Sequence, residues 1–240
     1  MYLEITIPCH NEAHRLEMGF SKLSAWLQQH PQHACRIGIV IADNGSTDAT
    51  LAIAQRLAPE SPVPCRVRHL DQADLALALR DAWDTSTADI VGYADTDMAT
   101  DLDHLDQVLS LFADSAVNTV NGSRWLPTSV IGDRSLKRRI CSRALRLGVR
   151  LLTGIRATDI ACGFKFFRRN WFADHSPSLF SEQFFLGGEL LFLAERESPA
   201  SVVEIPIRWT DQPGSRIHIR RAMLAYWHGI RQLRARHCKK

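Results

Sequence analysis

Asp95-Thr96-Asp97 is the densest chemical signal in the chain. It follows the apolar run DIVGYA, and its two carboxylates can converge on a hard divalent cation. Mg²⁺ and Mn²⁺ take few carboxylates and complete their shells with water and substrate phosphates. Such a cation offsets charge on a departing diphosphate. Alone, the same triplet is an ordinary solvated turn. Its company decides between the two. Cys9-His10-Asn11-Glu12 follows LEITIP, and Asp43-Asn44-Gly45 follows the β-branched run RIGIVIAD. An exposed carboxylate at Asp43 could accept from a nucleotide base or a ribose hydroxyl. The competing reading is Asn-Gly turn chemistry with a helix cap. Asn11 and Glu12 divide in the same way between helix capping and ligand contact.

These residues need a scaffold that brings three chain-distant segments to one place. Strands are expected at 3–8, 36–43, 65–70, 89–97 and 117–124. Helices alternate with them at 12–30, at 46–58 with Ser46 and Thr47 as caps, at 74–84 and at 101–113. The last carries acids in its first turn, where the helix dipole favours them. The alternation predicts an α/β fold, a doubly wound and mostly parallel sheet with helices on both faces. Ligands of such sheets bind beyond the carboxyl ends of the strands, which is where the polar clusters fall. A basic amphipathic helix at 134–152 comes next, then a strand near 162–167 and a helix at 188–197. A strand at 202–209, a loop at 211–216 and a basic C-terminal helix at 217–237 complete the chain. No linker interrupts the sequence, so 1–240 reads as a single domain with a long insertion.

Net charge is +3 over 240 residues, but it is segregated. Residues 133–156 carry +7 and residues 212–240 carry +8, leaving −12 on the other 187. An acidic body with two basic segments suggests an anionic partner met at defined places. In the first basic segment Leu136, Ile140, Ala144, Leu147, Leu151 and Ile155 recur at three- or four-residue spacing, beside Arg139, Arg143, Arg146 and Arg150. This is either a surface helix packed on the domain or an interfacial helix on an anionic membrane. Nucleic acid is not expected, because the stripe lacks interleaved aromatics. No apolar run approaches the ~20 residues of a membrane span. MYLEITIPCHNE begins a strand without a signal-peptide core, so a cytoplasmic location is expected, peripheral on the cytoplasmic face of a membrane. The six cysteines show no CxxC pairing and read as reduced structural thiols. Glu189 enters an apolar run after Gly187-Gly188, where it either complements a helix N-terminus or faces a substrate.

ITIPCHNE, IADNGSTDAT and ADTDMAT resemble the N-terminal motifs of family 2 glycosyltransferases, which have the GT-A fold. NGSRWL, SLKRRICSRALRLGVRLLTG, TDIACGFKFFRR and IPIRWTDQPGSR narrow the resemblance to dolichyl-phosphate glucosyltransferases and dolichol-phosphate mannose synthases. The resemblance spans residues 3–235. It implies a metal-dependent, inverting transfer of glucose or mannose from a UDP- or GDP-sugar to a polyprenyl phosphate. Residues 1–125 would form the nucleotide-sugar half and 126–240 the acceptor and membrane-interface half. Pro8, Asn11, Glu12, Asp43 and Asp95 would line the nucleotide site. Asp95 and Asp97 would hold Mg²⁺ or Mn²⁺. Arg124, Arg138 and Ser142 would bind the acceptor phosphate, with Ser215 and Arg216 on a late phosphate loop. The alternatives are a sugar or lipid hydroxyl acceptor, with Glu189 as catalytic base, or a non-catalytic nucleotide-sugar-binding relative. Three positions depart from the family pattern: His10 where an aromatic is usual, Asn44 where a second acid is usual, and Ala99 where some relatives carry Gln.

Overall fold

The computed structural model describes the backbone of residues 1–132, 136–210 and 219–237, and the side chains of 1–132, 142–210 and 223–237. In chain order the first half runs β1 (Leu3–Cys9), α1 (Ala13–Gln29), α2 (Pro31–Ala34), β2 (Ile37–Asn44), α3 (Thr50–Leu57), β3 (Cys65–Leu70), α4 (Leu75–Asp84), β4 (Ile90–Ala94), α5 (His104–Leu111) and β5 (Thr119–Ser123). The second half continues with β6 (Val130–Ile131), α6 (Leu136–Thr153), β7 (Phe164–Arg168), α7 (Arg169–His175), α8 (Leu186–Glu197), β8 (Val202–Pro206), β9 (Arg208–Trp209) and α9 (Ile219–His237).

The central sheet has seven strands in the order β3-β2-β1-β4-β7-β5-β8. All run parallel except β7, which is antiparallel to both β4 and β5. β2 is buried along its whole length, as its unbroken apolar sequence requires of a strand covered on both faces. α1 turns Leu16, Phe20, Leu23 and Leu27 onto one face, joined there by Leu105, Val108 and Leu109 of α5. α4 and α8 cover the other face through Leu79, Trp83, Leu186 and Leu190. Trp83 donates its indole N–H to Thr6 Oγ1 at 3.1 Å, which satisfies the one polar group it buries. A third cluster joins α8 to Val149 of α6 and to Tyr226, Ile230 and Leu233 of α9.

The expected alternation of strands and helices is present. The antiparallel β7, the two-stranded β6-β9 sheet and α7 add to it. α3 begins at Thr50, not near Ser46, because Ser46 and Thr47 are engaged elsewhere. Of the expected apolar stripe, the side chains of Leu136 and Ile140 lie outside the described residues, Ile155 just past α6 is buried, and Ala144, Leu147 and Leu151 face outward. Leu147 and Leu151 are 59% and 74% exposed, while Val149 is buried and Leu145 and Leu152 are half-buried. Among the described residues no helix is long and apolar enough to cross a membrane.

Candidate active site

Because β1, β2, β4 and β5 run the same way, their carboxyl ends share one edge with the start of β7. The segment after β4 is locked there by two close approaches. A Cβ at Gly19 of α1 would lie 1.8 Å from Thr96 O, and one at Gly163 would lie 2.0 Å from Asp95 Oδ1. At Gly19 the neighbour is backbone and only glycine fits, whereas at Gly163 a Cβ would push the Asp95 carboxylate aside. The Asp95 N–H donates to Gly163 O at 3.0 Å, and Thr96 Oγ1 donates to Pro8 O at 2.6 Å.

The two carboxylates of the triplet differ. Asp97 is buried, with Oδ2 paired to Arg15 and Oδ1 accepting from Ala99 N at 3.1 Å. Arg15 also reaches Glu12 Oε1 at 3.4 Å and so links two predicted site residues. The Asp95 carboxylate is half-buried and accepts no hydrogen bond from the described residues. Burial, reinforced by the charge of Asp97, pushes its carboxyl up to about 6. Arg124, Lys165 and Arg15 pull in the opposite direction.

Asn11 adopts a left-handed backbone, φ 55°, and its side chain does not cap α1. Its Oδ1 accepts from Thr47 N at 2.8 Å and Asp48 N at 3.2 Å, while its own N–H donates to Ser46 Oγ at 3.0 Å. Ser46 and Thr47, expected to cap α3, instead tie the β2 end to the β1 end. Asp43, expected to be exposed, is buried at 1%. Its Oδ2 accepts from His69 Nδ1 at 2.7 Å, and its Oδ1 is buried with no partner among the described residues.

The second half contributes Arg124, just past β5. Its Nε and Nη2 donate to Asp159 Oδ2 and Oδ1 at 2.7 and 2.9 Å, a two-pronged pair that is almost wholly buried. Burial works to raise the Asp159 pKa, but the Arg124 charge and hydrogen bonds outweigh it and hold the carboxyl low. The loop carrying Asp159 is pinned by two further acids. Glu195 accepts from the amides of Arg156 and Ala157 at 2.7 and 2.6 Å, and Glu204 accepts from Thr158 N at 2.8 Å. Arg124 and Ser142 line one small cleft together with Trp125, Arg146 and Asp159. An open cleft of about 380 Å³ adjoins it, lined by Trp125, Arg143, Arg146, Leu147 and Arg150.

Glu189 is fully buried, and its carboxylate accepts from the amides of Phe180 and Ser181 at 3.2 and 2.9 Å. The catalytic-base expectation is therefore corrected: this acid is spent on holding a backbone segment. The side chain of Arg138, and Ser215 and Arg216 altogether, lie outside the described residues. Thr210, just before that last segment, donates to Ala99 O at 2.9 Å, beside the triplet.

Arg15, His69, Asp159 and Lys165 went unread in the sequence. Arg15 stands three residues after Glu12, on the same helix face. His69 ends a strand at the edge where the other clusters were sought. Lys165 is fully buried on β7, donates to Cys162 O and lies 5.9 Å from the centre of the Tyr93 ring. Burial lowers its pKa.

The sequence pattern described as glycosyl transferase family 2 matches residues 4–176. Glycosyltransferase AglD of Haloferax volcanii is 31% identical over 92% of this chain, which spans 35% of that protein. Dolichyl-phosphate beta-glucosyltransferase of Saccharomyces cerevisiae is 26% identical over 90% of this chain and 69% of its own. Polyprenol monophosphomannose synthase of Mycolicibacterium smegmatis is 27% identical over 95% of this chain and 86% of its own. Two solved structures share the fold. Glucosyl-3-phosphoglycerate synthase of Mycobacterium tuberculosis, in complex with Mn²⁺ and UDP-glucose, gives a TM-score of 0.67 at 15% identity, covering 100% of this chain and 80% of that one. A mannosyltransferase of Pyrobaculum calidifontis, in complex with GDP-mannose and Mn²⁺, gives 0.65 at 17% identity, covering 99% and 64%.

Proposed function

The chain belongs to glycosyl transferase family 2, and from that premise we propose that it is a polyprenyl-phosphate hexosyltransferase. It moves glucose or mannose, with inversion, from a UDP- or GDP-sugar to a polyprenyl phosphate of the dolichyl type. The observation that carries this reading is the pairing of two environments. The Asp95 carboxylate and the Asp43 Oδ1, which have no hydrogen-bond partner among the described residues, stand on one sheet edge, and Arg124, whose charge Asp95 feels, lines a cleft with Ser142. The names of two relatives, a dolichyl-phosphate glucosyltransferase and a polyprenol monophosphomannose synthase, support the acceptor class.

A hard cation fits the donor set. Among the described residues no group of three or more His, Cys, Asp or Glu could hold a metal alone. Two carboxylates, one of them without a partner among the described residues and the other shared with Arg15, leave room for the diphosphate and water that Mg²⁺ or Mn²⁺ prefers. The Mn²⁺ and nucleotide sugars in the two structural neighbours support the same choice. Held by Asp95 and Asp97, the cation would offset charge on the leaving diphosphate. The chain's own work is to hold the acceptor in line with the anomeric carbon. A phosphate monoester has a second pKa of about 6 and is mostly dianionic at neutral pH, so it needs no strong base. A hydroxyl acceptor would need one. Glu189, the acid first in line for that role, is spent on backbone amides.

The membrane surface belongs to the same reading. Leu147, Leu151, Leu224 and Trp227 are exposed on α6 and α9 next to arginines, a composition suited to an anionic interface on the cytoplasmic side. The protein should pellet with anionic vesicles and release as salt rises, since screening lengths are about 8–10 Å near physiological ionic strength. Arg143→Glu with Arg146→Glu should weaken that binding. Salt-insensitive pelleting on neutral vesicles would remove the interfacial role. The decisive assay offers UDP- and GDP-linked glucose and mannose with polyprenyl phosphate in detergent and reads release of nucleoside diphosphate. Release that needs the phosphate acceptor and stops with chelator is expected. Equal turnover with free polyprenol would sink the phosphate-acceptor reading.

A further inference from the structure

Lys165 lies in β7 with its side chain fully buried, a rare place for an ammonium. Strand register sets Tyr93, Lys165, Asn121 and Glu204 in one row across β4, β7, β5 and β8, so the four side chains leave the same face of the sheet. The row holds the loop 158–163 at three points. Glu204 Oε2 accepts from Thr158 N at 2.8 Å, Asn121 Nδ2 donates to Asp159 O at 3.2 Å, and Lys165 Nζ donates to Cys162 O. Tyr93 Oη donates to the same Cys162 carbonyl at 3.4 Å. The loop in turn serves two places. Asp159 takes the fork of Arg124, and Gly163 O takes the Asp95 N–H at 3.0 Å. Burial disfavours the charge of the lysine, while the charges of Asp159 and Asp95 favour it. α8 crosses the row at Gly187, where a Cβ would lie 2.9 Å from Tyr93 Oη and 3.0 and 3.2 Å from Lys165 Cδ and Cε. The glycine leaves the room that the lysine stem fills.

We propose that Lys165 is a positioning residue for sugar transfer: acting through the Cys162 carbonyl, its buried ammonium sets Gly163 against Asp95 and Asp159 against Arg124, and so keeps the metal side and the acceptor side of the site in register. Being fully buried, it does this without touching either substrate. The inference rests on the nucleotide-sugar and phosphate-acceptor reading and adds to it a residue that acts on both halves at once.

The test is Lys165→Met in the full chain, which keeps most of the stem and removes the ammonium. Two quantities are read on the folded protein. One is the affinity for UDP and for GDP with Mn²⁺ present, by calorimetric titration. The other is the KM for polyprenyl phosphate in detergent. Both should worsen severalfold, and kcat should fall about 10- to 100-fold, the scale of a small misplacement at the reacting atoms. Asp95→Asn should move chiefly the first quantity and Arg124→Ala chiefly the second, so a loss on both sides separates Lys165 from either. Gly187→Ala keeps the lysine but crowds its stem. It should give the same two-sided loss at smaller size, and it keeps the test open if Lys165→Met does not fold. A loss confined to one side in a folded variant overturns the bridging role. Normal affinity, KM and kcat in the folded fraction, whatever the melting temperature, make Lys165 a packing residue and overturn the inference while leaving the donor and acceptor reading standing. An unmodified protein that neither binds UDP or GDP with Mn²⁺ nor transfers sugar overturns that reading and the inference with it.

Discussion

Asp95 and Asp159 both lie within reach of the charge of Arg124, yet their carboxylates are used in opposite ways. Asp159 accepts the Arg124 fork at 2.7 and 2.9 Å and its backbone N–H at 3.1 Å. Asp95 accepts nothing from the described residues and carries a raised pKa. The contrast extends to their regions. In the second half Glu189, Glu195 and Glu204 are all spent on backbone amides, fastening irregular segments that no sheet ladder would satisfy. At the strand-end edge, among the described residues, Asp43 has one oxygen without a donor and the Asp95 carboxylate accepts no hydrogen bond. An acid that fastens the backbone of an irregular segment is scaffold, and one that is desolvated and left open is held for a ligand. Asp97, tied to Arg15 and to the Ala99 amide beside Asp95, stands between the two.

The sharpest break between the two acids should be seen on exchanging their charges. Asp95→Asn should cut transfer on the order of 10³-fold, the scale of several kcal/mol of lost charge stabilisation. It should leave the metal-free protein as stable as before or more so, because it removes a charge that burial and Asp97 both disfavour. Asp159→Ala should do the reverse to stability and cost about 3–5 kcal/mol in denaturant unfolding, since it strands the buried Arg124 charge. If Asp95→Asn lowers the melting temperature as far as Asp159→Ala does, the division into open and spent acids fails.

Acid should separate them next. Metal and proton compete for a ligand carboxylate. With the Asp95 carboxyl near about 6, Mn²⁺ affinity should fall as pH drops through that value, by up to tenfold per unit below it. The Arg124–Asp159 pair should be indifferent over the same range, because the Asp159 carboxyl is held low. Affinity that stays flat down to pH 5 would remove Asp95 from the metal. Glu189→Gln tests a spent acid. Stability should drop by about 1–3 kcal/mol as buried amide contacts weaken, while the folded fraction transfers sugar at nearly the normal rate. Lost transfer with an unchanged melting temperature would return Glu189 to the role of base.

The strand-end rule made the polar edge legible, because alternating strands and helices imply a parallel sheet, and its register sets Cys9 beside Asp43 at the edge where Asp95 follows β4. It could not say which acids stay open. Ser46 and Thr47 read as helix caps because hydroxyls before an apolar run usually are, but Asn11 claims them across the 35- and 36-residue gaps. Asp159 sits in a quoted motif without signalling its partner, since the Arg124 pair is made between residues 35 apart. The apolar stripe of α6 was counted by spacing. Which of two adjacent apolar faces packs depends on α9, and the one that packs holds Val149, leaving Leu147 and Leu151 outward.

The smallest expected effect is at His69. Its hydrogen bond to Asp43 raises its pKa above the ordinary value, and the ring is about one-third exposed. A histidine whose folded pKa is raised binds its proton more tightly when folded. Its contribution is therefore complete below the unfolded pKa of about 6.5 and is lost as pH rises through the raised folded value. Solvent keeps it under about 1 kcal/mol. The gap in melting temperature between the unmodified protein and His69→Ala should be widest below pH 6.5 and should narrow above it. The spent pair of the second half supplies the control. Arg124 does not titrate near neutrality and the Asp159 carboxyl is held low, so the penalty of Asp159→Ala should be level from pH 6 to 9. A His69 gap that widens with rising pH would mean that the ring meets Asp43 as a neutral packing contact.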